Sequence, residues 1–96
     1  MPFGYVIAQI DVTDPETYPD YVAMVGPVVA RFGGEFLVRG GRAEYHEGEP
    51  PGRRTVVIRF PSFEAARDWY NSEDYAAAKA LRQRVSTSVQ TIVEGV

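Results

Sequence analysis

Few side chains in this 96-residue sequence can do chemistry: one histidine, no cysteine, six tyrosines and one tryptophan, with 10 basic and 13 acidic residues. His46 is the one group whose ordinary pKa suits a general base near neutral pH. It stands beside Glu47-Gly48-Glu49-Pro50-Pro51-Gly52, a run of turn chemistry, where a histidine is equally a plain loop residue. Asp11 and Tyr21 are the other proton-transfer candidates. Arg39 and Arg59 each present a planar fork that grips a carboxylate or other small anion. The alternative for either is an ion pair with Asp11, with Glu35 or with a second copy of the chain. Tyr21 and Trp69 suit the wall of an aromatic ligand site, although helical spacing explains most of the aromatics as core. Ser72 and Glu47 read as a helix cap and a turn residue before they read as catalysts.

The same inventory excludes several classes. Without cysteine there is no thiol catalysis, disulfide or thiolate metal site. A lone histidine among scattered carboxylates supplies no converging set of three or four ligands, so no metal is expected, and no cofactor with it. No Ser-His-Asp order is arguable, and Gly33-Gly34 and Gly40-Gly41 lack the spacing of a phosphate or dinucleotide loop. The net charge of -3 and the absence of a basic run argue against nucleic acid. No apolar stretch reaches membrane-spanning length, and Met1-Pro2-Phe3-Gly4 leads into a strand without a charged preface. The expectation is a cytoplasmic protein with no membrane partner. One domain over residues 1–96 follows from the length, with a core that buries roughly 60 to 65% of the unfolded surface.

The elements that must position these groups follow from periodicity. Residues 3 to 12 alternate, with Val6, Ala8, Ile10 and Val12 on one face and Tyr5, Ile7, Gln9 and Asp11 on the other. Asp14-Pro15 or Thr17-Tyr18-Pro19 starts a helix. Its stripe of Tyr18, Tyr21, Val22, Val25, Val28, Val29 and Phe32 runs through a kink expected at Gly26-Pro27 to a stop at Gly33-Gly34. Residues 35 to 39 form a strand with Phe36 and Val38 on one side and Glu35, Leu37 and Arg39 on the other. Gly40-Gly41 suggests a bulge, and the strand resumes through residues 43 to 46 in a long hairpin. The return strand sets Val56, Ile58 and Phe60 against Thr55, Val57 and Arg59. Ser62 caps a helix carrying Phe63, Ala66, Trp69 and Tyr70, and Asn71-Ser72 breaks and recaps a helix running towards Arg84. Residues 88 to 94 close the chain as a strand of ambiguous parity, Val89, Thr91 and Val93 competing with Ile92.

The order strand, helix, strand, strand, helix, strand is a split βαβ of the α+β class, a ferredoxin-like βαββαβ with a four-stranded antiparallel sheet. Helices cover one face of such a sheet. The other, carrying Tyr5, Ile7, Leu37, Val57, Arg39 and Arg59, is half apolar, so a homodimer packed sheet against sheet is expected. Phe60-Pro61-Ser62, Ala65-Ala66, Trp69-Tyr70, Ser72, Tyr75 and Arg82, with Gly33-Gly34, Arg39-Gly40-Gly41 and Glu47-Gly48, resemble the pattern of the domain of unknown function 1330 family across essentially the whole chain. That family is similar in fold to the dimeric α+β barrels, which include cofactor-independent monooxygenases and isomerases. The resemblance implies a ferredoxin-like protomer, a homodimer, and Arg39 as the arginine to favour. The family pattern usually has glutamate before Phe-Pro-Ser, where this chain has Arg59, so no carboxylate role carries over to that position. Two functional classes follow: a binder or enzyme acting on a small anionic or carbonyl-containing molecule, or a non-catalytic interaction homodimer.

Overall fold

The strand β1 (Gly4–Val12) is the centre of the molecule, paired antiparallel on one side with β3 (Arg54–Phe60) and on the other with β4 (Ser86–Glu94). The hairpin partner of β3, β2 (Glu35–Arg39), completes a four-stranded sheet of order β2-β3-β1-β4. The computed structural model that shows this describes residues 2–96, and Met1 lies outside them. Helices α1 (Tyr18–Arg31), α2 (Phe63–Tyr70) and α3 (Glu73–Val85) all cover the same face. This is the ferredoxin-like βαββαβ order, with its second helical segment in two pieces.

Alternation along the strands sorts the residues. Val6, Ala8, Ile10, Val56, Ile58 and Phe60 turn to the helices and are buried with Val25, Val29, Ala66, Trp69 and Tyr75. In β4 the burial pattern settles the parity. Ser86 is buried and Ser88, Gln90 and Ile92 are half-buried beneath the helices, while Val89, Thr91 and Val93 stand on the open face. Polar residues thus occupy most of the helix-side positions of β4, which is why hydropathy alone misreads the strand.

Local signals explain the helix ends. Asp14 Oδ1 accepts from the Thr17 amide at 3.2 Å, holding a turn ahead of the helix, and α1 begins only at Tyr18 with Pro19 in its first turn, where a missing N–H costs nothing. The helix is continuous through Pro27. Ser62 Oγ accepts from the Ala65 amide at 3.0 Å and Ser72 Oγ from the Tyr75 amide at 3.1 Å, capping α2 and α3. Gly33, at φ 78°, supplies the left-handed stop after α1.

Two expectations for the hairpin change. Residues 43 to 46 do not resume a strand; the segment from Gly41 to Arg53 is irregular. It is tied down by Tyr45 Oη donating to the Arg53 carbonyl at 2.8 Å and by Asp11 Oδ1 accepting from the Arg53 amide at 3.0 Å. The bulge lies inside β2 rather than at Gly40-Gly41: Phe36 pairs with Ile58 but Val38 pairs with Val57, so Leu37 is the extra residue. One extra residue reverses the parity of everything after it. Val38 moves to the open face and Arg39, paired with Val56, moves to the helix side.

The helical layer is pinned by a phenol pair. Tyr21 of α1 and Tyr75 of α3 share a buried hydrogen bond, Oη to Oη 2.9 Å. Burial pushes the ionisation of Tyr21 above its ordinary 10, and the neighbouring Tyr75 adds to the effect. Tyr75 is also raised, again chiefly by burial, with the Tyr21 hydrogen bond and the charge of Arg82 opposing the shift.

Two outcomes follow from this packing. A Cβ on Gly4 would collide with the Ser62 carbonyl and come within 2.6 Å of Phe63 Cα, both rigid backbone at the start of α2. Gly4→Ala should therefore cost about 1–3 kcal/mol of stability, read as a lower urea midpoint. Gly26, with nothing within 4 Å of a Cβ, lies inside a helix, so Gly26→Ala should raise stability by about 1 kcal/mol or less. For the phenols, folding holds the neutral form while the unfolded chain ionises near 10. Their contribution is complete below pH 10 and is lost as pH rises beyond it. Urea midpoints between pH 8 and 11 should fall more steeply for the wild type than for the Tyr21→Phe, Tyr75→Phe double variant; equal slopes would rule out this origin.

Candidate functional site

Between α1 and the sheet lies a cavity floored by Val6, Ala8, Ile10, Val56 and Ile58. Its polar boundary is Tyr18, Tyr21, Arg39, Arg54, Trp69 and Gln90. No carboxylate lines it. The cavity volume is about 20 Å³, room for about one water.

The two arginines reach it by different routes. The β2 bulge swings Arg39 to the helix side, where its Nη2 donates to the Val22 carbonyl at 3.1 Å and its guanidinium lies 4.1 Å from the centre of the Phe36 ring. Val22 precedes Ala23, whose carbonyl Pro27 deprives of an amide donor. The arginine thus meets α1 where its hydrogen-bond ladder is weakest. Arg54 enters from β3 on the same parity as Val56 and Ile58, 5.6 Å from the Tyr18 ring centre. Gly40, at φ 71°, makes room for it, since a Cβ there would strike the Arg54 guanidinium. Neither arginine belongs to an ion pair among the described residues.

Donors in this layer lack acceptors. Trp69 is 1% exposed, and its Nε1 has no hydrogen-bond partner; Arg54 Nε is likewise buried and unpartnered. A buried unpaired donor costs about 1–3 kcal/mol, so both atoms are primed for an acceptor. The Trp69 ring is held by Tyr75, stacked at 4.2 Å, and by Phe60 at 5.4 Å.

Of the residues singled out from sequence, the structure brings Arg39, Tyr21 and Trp69 to one cavity. Arg59 is not with them. It lies on the open face, its Nη2 3.1 Å from Glu35 Oε2 and its guanidinium 4.6 Å from the Phe3 ring centre, so no clamp of Arg39 with Arg59 forms. Asp11 is on the open face as well, engaged with the Arg53 amide. His46 is in the exposed connection, 3.7 Å from Glu44 Oε1. Neither touches the cavity. Ser72 is the cap of α3, and Glu47 lies in the loop. Sequence reasoning passed over Arg54 and Gln90; strand parity, which places Arg54 with Val56 and Gln90 with Ile92, was the signal available. Among the described residues no cluster of three His, Cys, Asp or Glu side chains could hold a metal, and no helix is long and apolar enough to cross a membrane.

Comparison with solved structures agrees on the fold. The chain is similar to the RPA0582 protein of unknown function from Rhodopseudomonas palustris, at 18% identity and TM-score 0.77, covering 99% of this chain and 83% of that one. A conserved protein from Methanosarcina mazei Go1 matches at 14% identity and TM-score 0.60, covering 100% and 95%. SnoaB, a cofactor-independent oxygenase from Streptomyces nogalater, matches at 12% identity and TM-score 0.57, covering 97% and 92%. No curated protein matches the sequence. The family model described as Domain of unknown function (DUF1330) matches residues 3–96. With β1 to β4 and all three helices inside that match, the chain belongs to the domain of unknown function 1330 family.

Proposed function

We propose that the cavity beneath α1 binds a small anionic or carbonyl-containing molecule with an aromatic or otherwise apolar body. The observation that carries this reading is the convergence of Arg39 and Arg54 on an aromatic-walled cavity without a single carboxylate. Two guanidiniums beside apolar walls match a ligand with one charged or strongly polarised end. The unpaired Nε1 of Trp69 supplies a further donor.

Likeness in fold to a cofactor-independent oxygenase makes oxygenase or isomerase chemistry the activity to test first. The side chains favour binding and polarisation over proton abstraction. Asp11 and His46 lie away from the cavity, and Tyr21 is held neutral by burial, so it serves as a hydrogen-bond group rather than a base. Deprotonation of a substrate here would rest on acidity that the arginines induce in it.

The protomer is proposed to act as a homodimer joined through the open sheet face. Ile7 is 39% exposed and Val89 50%, and Leu37, Val38 and Val93 are exposed beside them. Val38, Val57 and Ile7 follow one another across three strands as an apolar row, flanked by the row Glu35, Arg59, Tyr5 and Val93. Large apolar patches rimmed by charge mark interaction surfaces, and a second copy supplies the same patch in return.

The only tryptophan in the chain lines the cavity, so ligand binding has a built-in reporter. Titration with benzoate, salicylate and small quinones should give a saturable change in Trp69 emission for at least one compound. Arg39→Ala should weaken that binding about ten- to a hundredfold, as expected for a hydrogen bond to a charged group. If none of the compounds alters the emission, or if Arg39→Ala binds as tightly as wild type, the reading fails. For the dimer, sedimentation equilibrium should show two copies at micromolar concentration, and Ile7→Asp should give a folded monomer. A wild-type monomer would exclude this interface.

A further inference from the structure

Arg82, near the end of α3, is 2% exposed, yet no ion pair among the described residues includes it. A guanidinium does not shed its proton to escape burial, and a buried charge without a counter-charge is strongly unfavourable. The phenols of Tyr21 and Tyr75 lie within reach of its field, but both stay neutral because burial raises their ionisation above 10. They are not counter-ions.

Arg82 instead borders an open cleft of about 330 Å³ at the edge of the sheet, lined also by Tyr70, Gln83, Ser86, Ser88 and Gln90. No acidic residue lines it. The polar groups are arranged around Ser88. Its Oγ accepts from Arg82 Nη1 at 3.2 Å and from Gln90 Nε2 at 3.0 Å, so both lone pairs are engaged and its O–H remains to donate. Ser86 Oγ donates to the Arg82 carbonyl at 2.5 Å, fixing the turn that carries the arginine. Arg82 Nε is buried without an acceptor.

We propose that this cleft between α3 and β4 is a second ligand site, for a small carboxylate bound by the Arg82 guanidinium and the Ser88 hydroxyl. A carboxylate suits it better than a phosphate. One guanidinium and one hydroxyl match two oxygens and a single charge, whereas a phosphate dianion calls for a second cation that the lining lacks. The site is separate from the cavity beneath α1, although Gln90 borders both.

The test uses full-length protein with labelled arginine side chains. The Arg82 Nε–H resonance should move saturably on titration with sodium acetate, in wild type and in Arg39→Ala alike, which separates this site from the one beneath α1. Ser88→Ala should fold and bind acetate about tenfold more weakly, having lost a donor to a charged acceptor. The proposal is overturned if acetate leaves the resonance unmoved, if sodium chloride moves it equally, or if Ser88→Ala binds with wild-type affinity. A stronger response to inorganic phosphate overturns the choice of carboxylate, and a shift that follows protein concentration instead of acetate assigns the counter-charge to a second copy.

Discussion

All three helices pack on one face of a four-stranded sheet, and every other feature depends on that one-sided cover. Because side chains on a strand alternate, each strand residue belongs either to a closed layer or to an open surface, with no intermediate choice. Among the described residues the strands depart from strict alternation once, at Leu37, and the departure decides which face Arg39 joins. Without the extra residue Arg39 would share the open face with Arg59 and Glu35; with it, Arg39 reaches α1 and the aromatic cavity. The left-handed Gly40 immediately after it then leaves the space that Arg54 fills. A bulge and a glycine thus place two cations where strand periodicity alone would place one.

The polar groups enclosed by this arrangement share a low-dielectric layer, which makes their pairing consequential. The Tyr21–Tyr75 hydrogen bond satisfies two hydroxyls and ties α1 to α3. Around it remain Trp69 Nε1, Arg54 Nε and Arg82 Nε, all donors and all without partners. An interior packed for stability alone would pair them or replace them with carbon. All three are donors, and none of the lining residues of the two cavities is an acid.

Much of the architecture was legible in the residues because the signals were local. The caps at Ser62 and Ser72, the glycine stop at Gly33 and the alternation of β1 and β3 each depend on neighbours within a few positions. What sequence reading misplaced depends on distant partners. The β2 bulge is a matter of registry against β3, and it carried Arg39 to the opposite face from the one its spacing implied. The parity of β4 was obscured because its helix-side positions are Ser86, Ser88 and Gln90, polar residues justified only by the buried Arg82 that they surround. Trp69 and Tyr21 were legible as a pair of aromatics, but their cavity exists only once α1 lies across the sheet.

Arg39 ties β2 to α1 at the boundary of the cavity. Its guanidinium is bonded to the neutral carbonyl of Val22, at the stretch of α1 where Pro27 has removed an amide. That bond is charge-assisted through its donor alone, whereas a carboxylate would add charge on the acceptor and offer a bidentate pair. Under the proposed function, an anion at Arg39 would compete with Val22 for the bond that ties β2 to α1. With only about 20 Å³ available, a ligand larger than water would need the cavity to widen. Pro27 lies inside the continuous helix α1, shortly after the Val22 carbonyl that Arg39 holds, so the proline removes one amide without breaking the element that covers the cavity.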